Sequence, residues 1–61
     1  MKTQQLLKHL RSHGCRLQRH GSSHDIWVHD ENNTQSGVPR HRETSNRMAR
    51  VICKQLGIPD P

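Results

Sequence analysis

Tyrosine and phenylalanine are absent from the sequence, and Trp27 is its only large aromatic side chain in 61 residues. Apolar residues are scarce as well, at 28%, and the large ones are Leu6, Leu7, Leu10, Leu17, Ile26, Trp27, Val28, Val38, Met48, Val51, Ile52, Leu56 and Ile58. A chain of this size buries only about 60% of its unfolded surface, so the core is one helix-on-sheet layer with little room for a cofactor pocket. No apolar run in Met1 to Leu10 suits a signal peptide, and none approaches the roughly 20 residues of a membrane span. These absences predict a cytoplasmic protein with no membrane partner. Two cysteines, Cys15 and Cys53, stand far apart with no Cys-x-x-Cys spacing, which disfavours a disulfide scaffold or zinc finger and predicts two small core residues. Acidic residues are also few, five against ten Lys and Arg, for a formal charge of +5. A basic surface of this kind favours polyanions, nucleic acid first among them, although an acidic protein would feel the same field.

Composition is uniform and no repeat is present, which predicts a single domain over residues 1–61. Leu6, Leu7 and Leu10 fall on one helical stripe, Thr3 is a candidate N-cap and Gly14 a stop, predicting a helix from Thr3 to His13. From Cys15 the period becomes two, with Cys15, Leu17 and Arg19 alternating against Arg16, Gln18 and His20. His20 to Ser23 turns the chain, and the β-branched and aromatic run His24 to His29 returns as the second strand of a hairpin. Asp30 to Asn33 is a polar turn, and a shorter third strand runs from about Thr34 to Val38, ended by Pro39. Ser45 or Asn46 caps a second helix whose stripe is Met48, Val51, Ile52 and Leu56, with Gly57 as its stop. The fold class is therefore α+β, a helix, a three-stranded antiparallel sheet and a helix, with both helices on one sheet face and the other face open.

Strand parity ties two residues together, because His24 and Trp27 lie an odd number of positions apart and must point to opposite faces. If Trp27 packs under the helices, His24 stands on the open face with Ile26 and Val28 exposed beside it, a surface suited to a covering protein. If Trp27 faces outward, it is free to stack on a base while His24 becomes a core-edge histidine. The pattern alone leaves both arrangements open.

Six histidines invite a metal reading, yet His9 and His13 form the only pair at a helical spacing of four and have no third ligand nearby in sequence. No metal or other cofactor is expected.

Several stretches together resemble one family: the leucine-bearing first helix, Gly14 before a strand, Gly21-Ser22-Ser23-His24-Asp25-Ile26-Trp27, the exit Val38-Pro39-Arg40-His41, and Arg50-Val51-Ile52-Cys53-Lys54-Gln55-Leu56-Gly57-Ile58. The combination resembles the HicA toxins of bacterial toxin-antitoxin systems over nearly the whole chain. The glycine-serine-histidine turn followed by an aromatic is the most telling part. Gln35 and Ser36 make the third strand more polar than the family pattern, and Ser23 is an additional residue beside the turn.

The resemblance implies a fold similar to double-stranded RNA-binding domains, metal-free cleavage of mRNA with His24 as the catalytic histidine, and a HicB-like antitoxin that covers the active face. It also implies that Trp27 is a buried anchor, which selects the first of the two parities. Histidine suits such chemistry because both its protonation states are available near neutrality, and arginine because its planar fork grips phosphate. Arg19, Arg40 and Arg42 are accordingly candidates to bind the RNA backbone. His41 joins them and is a candidate second proton-transfer group; His20 and His29 are further ones. Two other readings fit the same basic surface: a non-catalytic RNA-binding domain and a basic protein-interaction module.

Overall fold

The computed structural model describes residues 1–61 and contains α1 (Thr3–Ser12), β1 (Cys15–His20), β2 (His24–His29), β3 (Thr34–Pro39) and α2 (Asn46–Leu56). The strands form one antiparallel sheet in the order β1-β2-β3, giving the expected α-β-β-β-α arrangement, which is consistent with a double-stranded RNA-binding-domain-like fold. Leu6 and Leu10 of α1 meet Cys15, Trp27 and Val38 of the sheet and Ala49, Ile52, Cys53 and Leu56 of α2 in one buried cluster. Both helices thus cover the face that carries Trp27. No helix is long and apolar enough to cross a membrane.

Register assigns every strand residue to a face. Cys15 opposes His29 and Leu17 opposes Trp27, but the pairing then slips, so that Arg19 opposes Ile26 and His20 opposes Asp25. Gln18 is therefore an extra residue on β1, a bulge that reverses the parity of Arg19 and His20. The simple alternation expected of this strand, with Arg19 on the side of Cys15 and Leu17, does not hold. On the third strand Ser36 opposes Trp27, Gly37 opposes Ile26 and Pro39 opposes His24, so β3 runs one residue further than expected. Pro39 fits there because β3 is an edge strand and its missing N–H leaves no ladder bond unmade.

Thr3 does not cap α1. Lys2 occupies the cap position without a side-chain bond, because Thr3 is drawn into a tertiary contact: its backbone N–H donates to Arg42 O at 3.0 Å, and its hydroxyl shares a 2.6 Å buried hydrogen bond with Thr44. The helix ends at Ser12, one residue early, and Gly14 at φ +86 makes the left-handed exit.

In α2 the capping residue is Ser45, whose Oγ accepts from Met48 N–H at 3.1 Å. Gly57 (φ 75) and Ile58 return their N–H groups to Lys54 O and Cys53 O, a left-handed C-terminal cap whose apolar residue, Ile58, is buried in the core. Thr34 Oγ1 and Asn32 Nδ2 donate to Leu56 O, which satisfies a helix carbonyl that has no partner within the helix. The buried stripe is Ala49, Ile52, Cys53 and Leu56, whereas Met48 and Val51 are each 42% exposed. The expected stripe thus holds at Ile52 and Leu56 and fails at Met48 and Val51. Two helical stripes share Ile52 and Leu56, and the one with the smaller residues, Ala49 and Cys53, brings the helix closest to the sheet.

Burial raises the pKa of both thiols, and Cys15 and Cys53 are free, buried core residues, as expected. The indole N–H of Trp27 is buried without a partner. An orphaned donor of that kind costs about 1–3 kcal/mol, offset here by the burial of a large ring.

Candidate active site on the open sheet face

His24 is the first residue of β2 because the preceding turn closes on it, with Gly21 N–H donating to His24 O at 2.7 Å. A Cβ on Gly21 would lie 2.5 Å from that oxygen, so the turn requires glycine there. With Trp27 buried beneath the helices, His24 stands exposed on the uncovered face. Its Nδ1 shares a 2.9 Å hydrogen bond with Ser23 Oγ, which fixes one ring edge and leaves Nε2 as the atom without a partner. Beneath the imidazole lies bare backbone: a Cβ on Gly37 would stand 3.6–3.8 Å from His24 Cβ, Cγ and Cδ2.

Sequence reading passes over Gly37 and treats Ser23 only as an additional residue. A glycine in mid-strand is the signal available for the first, since it often marks a close approach.

The bulge at Gln18 places Arg19 on the same face as His24, paired with Ile26. Arg16 also lies on this face opposite Val28, but its guanidinium is held bidentately by Asp30, at 2.7 and 3.1 Å. That pairing keeps the Asp30 carboxyl below the usual carboxylate range and offsets the charge of Arg16. Val28, expected to be exposed here, is buried between its register neighbours Arg16 and Gln35, and Ile26 is half-buried. Long polar side chains carry enough aliphatic stem to cover a valine. The apolar surface beside His24 is therefore smaller than the sequence implied.

The remaining candidates fall into three groups. His41 and Arg42 lie just past Pro39, the register partner of His24, and line a cleft of about 360 Å³ together with Lys2, Thr3, Gln4 and Leu7. Neither is in an ion pair, nor is Arg19; the three ion pairs are Arg16–Asp30, His20–Asp25 and Arg40–Asp25. Arg40 is turned toward the hairpin, where its guanidinium donates to Gly21 O, Ser22 O and Asp25 Oδ1 at 2.7–2.9 Å.

His20 and His29 are not brought to His24. The bulge turns His20 to the side of Asp25, with which it bonds at 2.7 Å. His29 is buried on the helix side, its Nδ1 accepting from Asn32 N–H. The pair His9 and His13 is occupied locally, His9 Nε2 bonding Pro59 O at 2.8 Å and the rings packing 4.4 Å apart.

No curated protein and no solved structure matches the chain. The family model of the HicA toxin of bacterial toxin-antitoxin systems matches residues 3–58, from the first residue of α1 to the cap after α2. With that match spanning every element that builds the open face, the chain belongs to the HicA toxins, proteins whose partner is an antitoxin.

Proposed function

We propose that the protein is an endoribonuclease acting on mRNA in the cytoplasm without a metal ion, with His24 moving a proton at the scissile phosphate. The observation that carries this reading is the exposed imidazole of His24 on the uncovered face, held through Nδ1 by Ser23 with Nε2 free, beside the unpaired Arg19. In this mechanism a ribose 2′-oxygen attacks the adjacent phosphorus in line, losing its proton to a base. The P–O5′ bond breaks, and the departing oxygen takes a proton from an acid. The products are a 2′,3′-cyclic phosphate and a 5′-hydroxyl. His24 carries one of the two transfers at Nε2, and His41 is the candidate for the other.

Arg19 and Arg42 neutralise the backbone phosphates, with His41 adding charge when protonated. A positioned acid or base contributes about 10²–10⁴ in rate. The HicB-like antitoxin covers this same face, for which the half-buried Ile26 and Pro39 provide apolar contact around His24.

The test incubates purified protein with single-stranded RNA in excess chelator, alongside His24→Ala. Cleavage that survives the chelator and falls at least a hundredfold in the variant is the expected result. Equal cleavage by both proteins overturns the assignment of His24, and binding without cleavage by either leaves a non-catalytic RNA-binding protein.

A further inference from the structure

We infer that Arg40 is a positioning residue for His24, resting on the reading of His24 as the catalytic group, and that its guanidinium shapes the Gly21–Ser23 turn instead of gripping RNA. Arg40 follows Pro39, which pairs with His24 across β2 and β3, so its side chain reaches back over the hairpin end. There Nη1 donates to Gly21 O at 2.8 Å and to Asp25 Oδ1 at 2.9 Å, while Nη2 donates to Ser22 O at 2.7 Å. Two successive turn carbonyls and the carboxylate that follows His24 are thus held by one planar group.

Asp25 fixes the guanidinium in turn. Its side chain is only 18% exposed and points to the opposite sheet face from His24. It also takes a 2.7 Å bond from His20 through the same oxygen that Arg40 uses. His20 and Arg40 together hold its carboxyl below the usual carboxylate range, so it is ionised throughout the neutral range.

The arrangement needs arginine. A lysine ammonium carries the same charge but lacks a rigid fork able to meet two carbonyls and a carboxylate at once. Releasing the fork to bind a phosphate breaks bonds that define the turn, and with it the Gly21 N–H bond to His24 O. A displacement of about 1 Å in a reacting group is worth up to 10² in rate.

The experiment compares wild type with Arg40→Lys, Asp25→Asn and His24→Ala at a temperature where circular dichroism shows all four folded, measuring kcat, KM and the salt dependence of RNA binding. Arg40→Lys is expected to lose ten- to a hundredfold in kcat with KM and salt slope unchanged. Asp25→Asn is expected to lose a similar factor while binding RNA as well as wild type or better, since it removes a negative charge. A phosphate-gripping Arg40 gives the opposite signature: near-normal kcat in Arg40→Lys, and faster cleavage in Asp25→Asn because the fork is freed. Arg40→Lys with kcat within twofold of wild type, while His24→Ala is inactive, overturns the inference and leaves the catalytic reading standing. If His24→Ala matches wild type, or neither cleaves, the catalytic reading fails. The amide resonances of Gly21, Ser22 and His24 then decide the structural claim: unchanged positions in Arg40→Lys overturn it as well.

Discussion

Trp27 and His24 face opposite sides of β2, the indole sealed beneath the helices and the imidazole on the open side. The anchoring of the first sets the orientation of the second. The guanidinium of Arg11 lies 5.3 Å from the indole centroid, adding a cation–π contact at the rim of the core. Trp27→Ala is expected to lose about 3–5 kcal/mol in a denaturant melt, much of the stability available to so short a chain. Trp27→Phe is expected to lose clearly less, because it keeps most of the ring and removes the N–H that has no partner.

Arg19 and Arg16 share a face but differ in what holds them. In a His24→Ala background, chosen to remove the proposed cleavage, Arg19→Gln is expected to weaken RNA binding and reduce the slope of log K against log salt by about 0.7, the value for one single-strand phosphate contact. Arg16→Gln is expected to change the slope less, since Asp30 already offsets that charge. Fluorescence anisotropy at four salt concentrations separates the two.

On α2, Met48→Gln and Val51→Gln are expected to shift stability by no more than about 0.5 kcal/mol, because both residues are exposed, at 42%, and lie off the buried stripe. Ala49→Leu, at a fully buried position, is expected to lose about 1–3 kcal/mol from overpacking. Thermal melts of the three variants would reverse this order if the stripe ran through Met48 and Val51.

Acid should loosen the hairpin end. The folded pKa of Asp25 is depressed, first by the hydrogen bond with His20 and then by that with Arg40. Its contribution is therefore present above the ordinary carboxylate pKa of about 3.9 and is lost as pH falls through the lower folded value. Amide resonances of Gly21 to His24 are expected to show a movement below about pH 4 that follows the Asp25 carboxyl. Asp25→Asn should abolish that movement.

Much of this architecture was legible in the sequence because local signals agreed. Gly14, Gly21 and Gly57 mark real reversals, Ser45 caps α2, and the His24–Trp27 parity follows from strand geometry once one side chain is located. The contacts that escaped reading are long-range. Nothing in Thr3 announces a hydroxyl partner 41 residues away at Thr44, and nothing in Arg40 announces that its fork is taken up by Gly21, Ser22 and Asp25. The stripe of α2 was ambiguous for another reason: Ile52 and Leu56 belong to two helical patterns at once, and only packing against the sheet selects between them.

The bulge at Gln18 makes the sorting of charge on β1 depend on length more than on composition. Between Arg16 and His20 the side chains are almost all polar, so exchanging one for another leaves the path of the backbone intact. Removing Gln18 would restore strict alternation with Arg19 still opposite Ile26 and His20 still opposite Asp25. Pairing every residue of the strand without the bulge would instead carry His20 away from Asp25 and Arg19 away from the face of His24. This strand should therefore tolerate substitution, and loss of Gln18 itself, better than an insertion or deletion after Arg19 that shifts His20 out of register with Asp25.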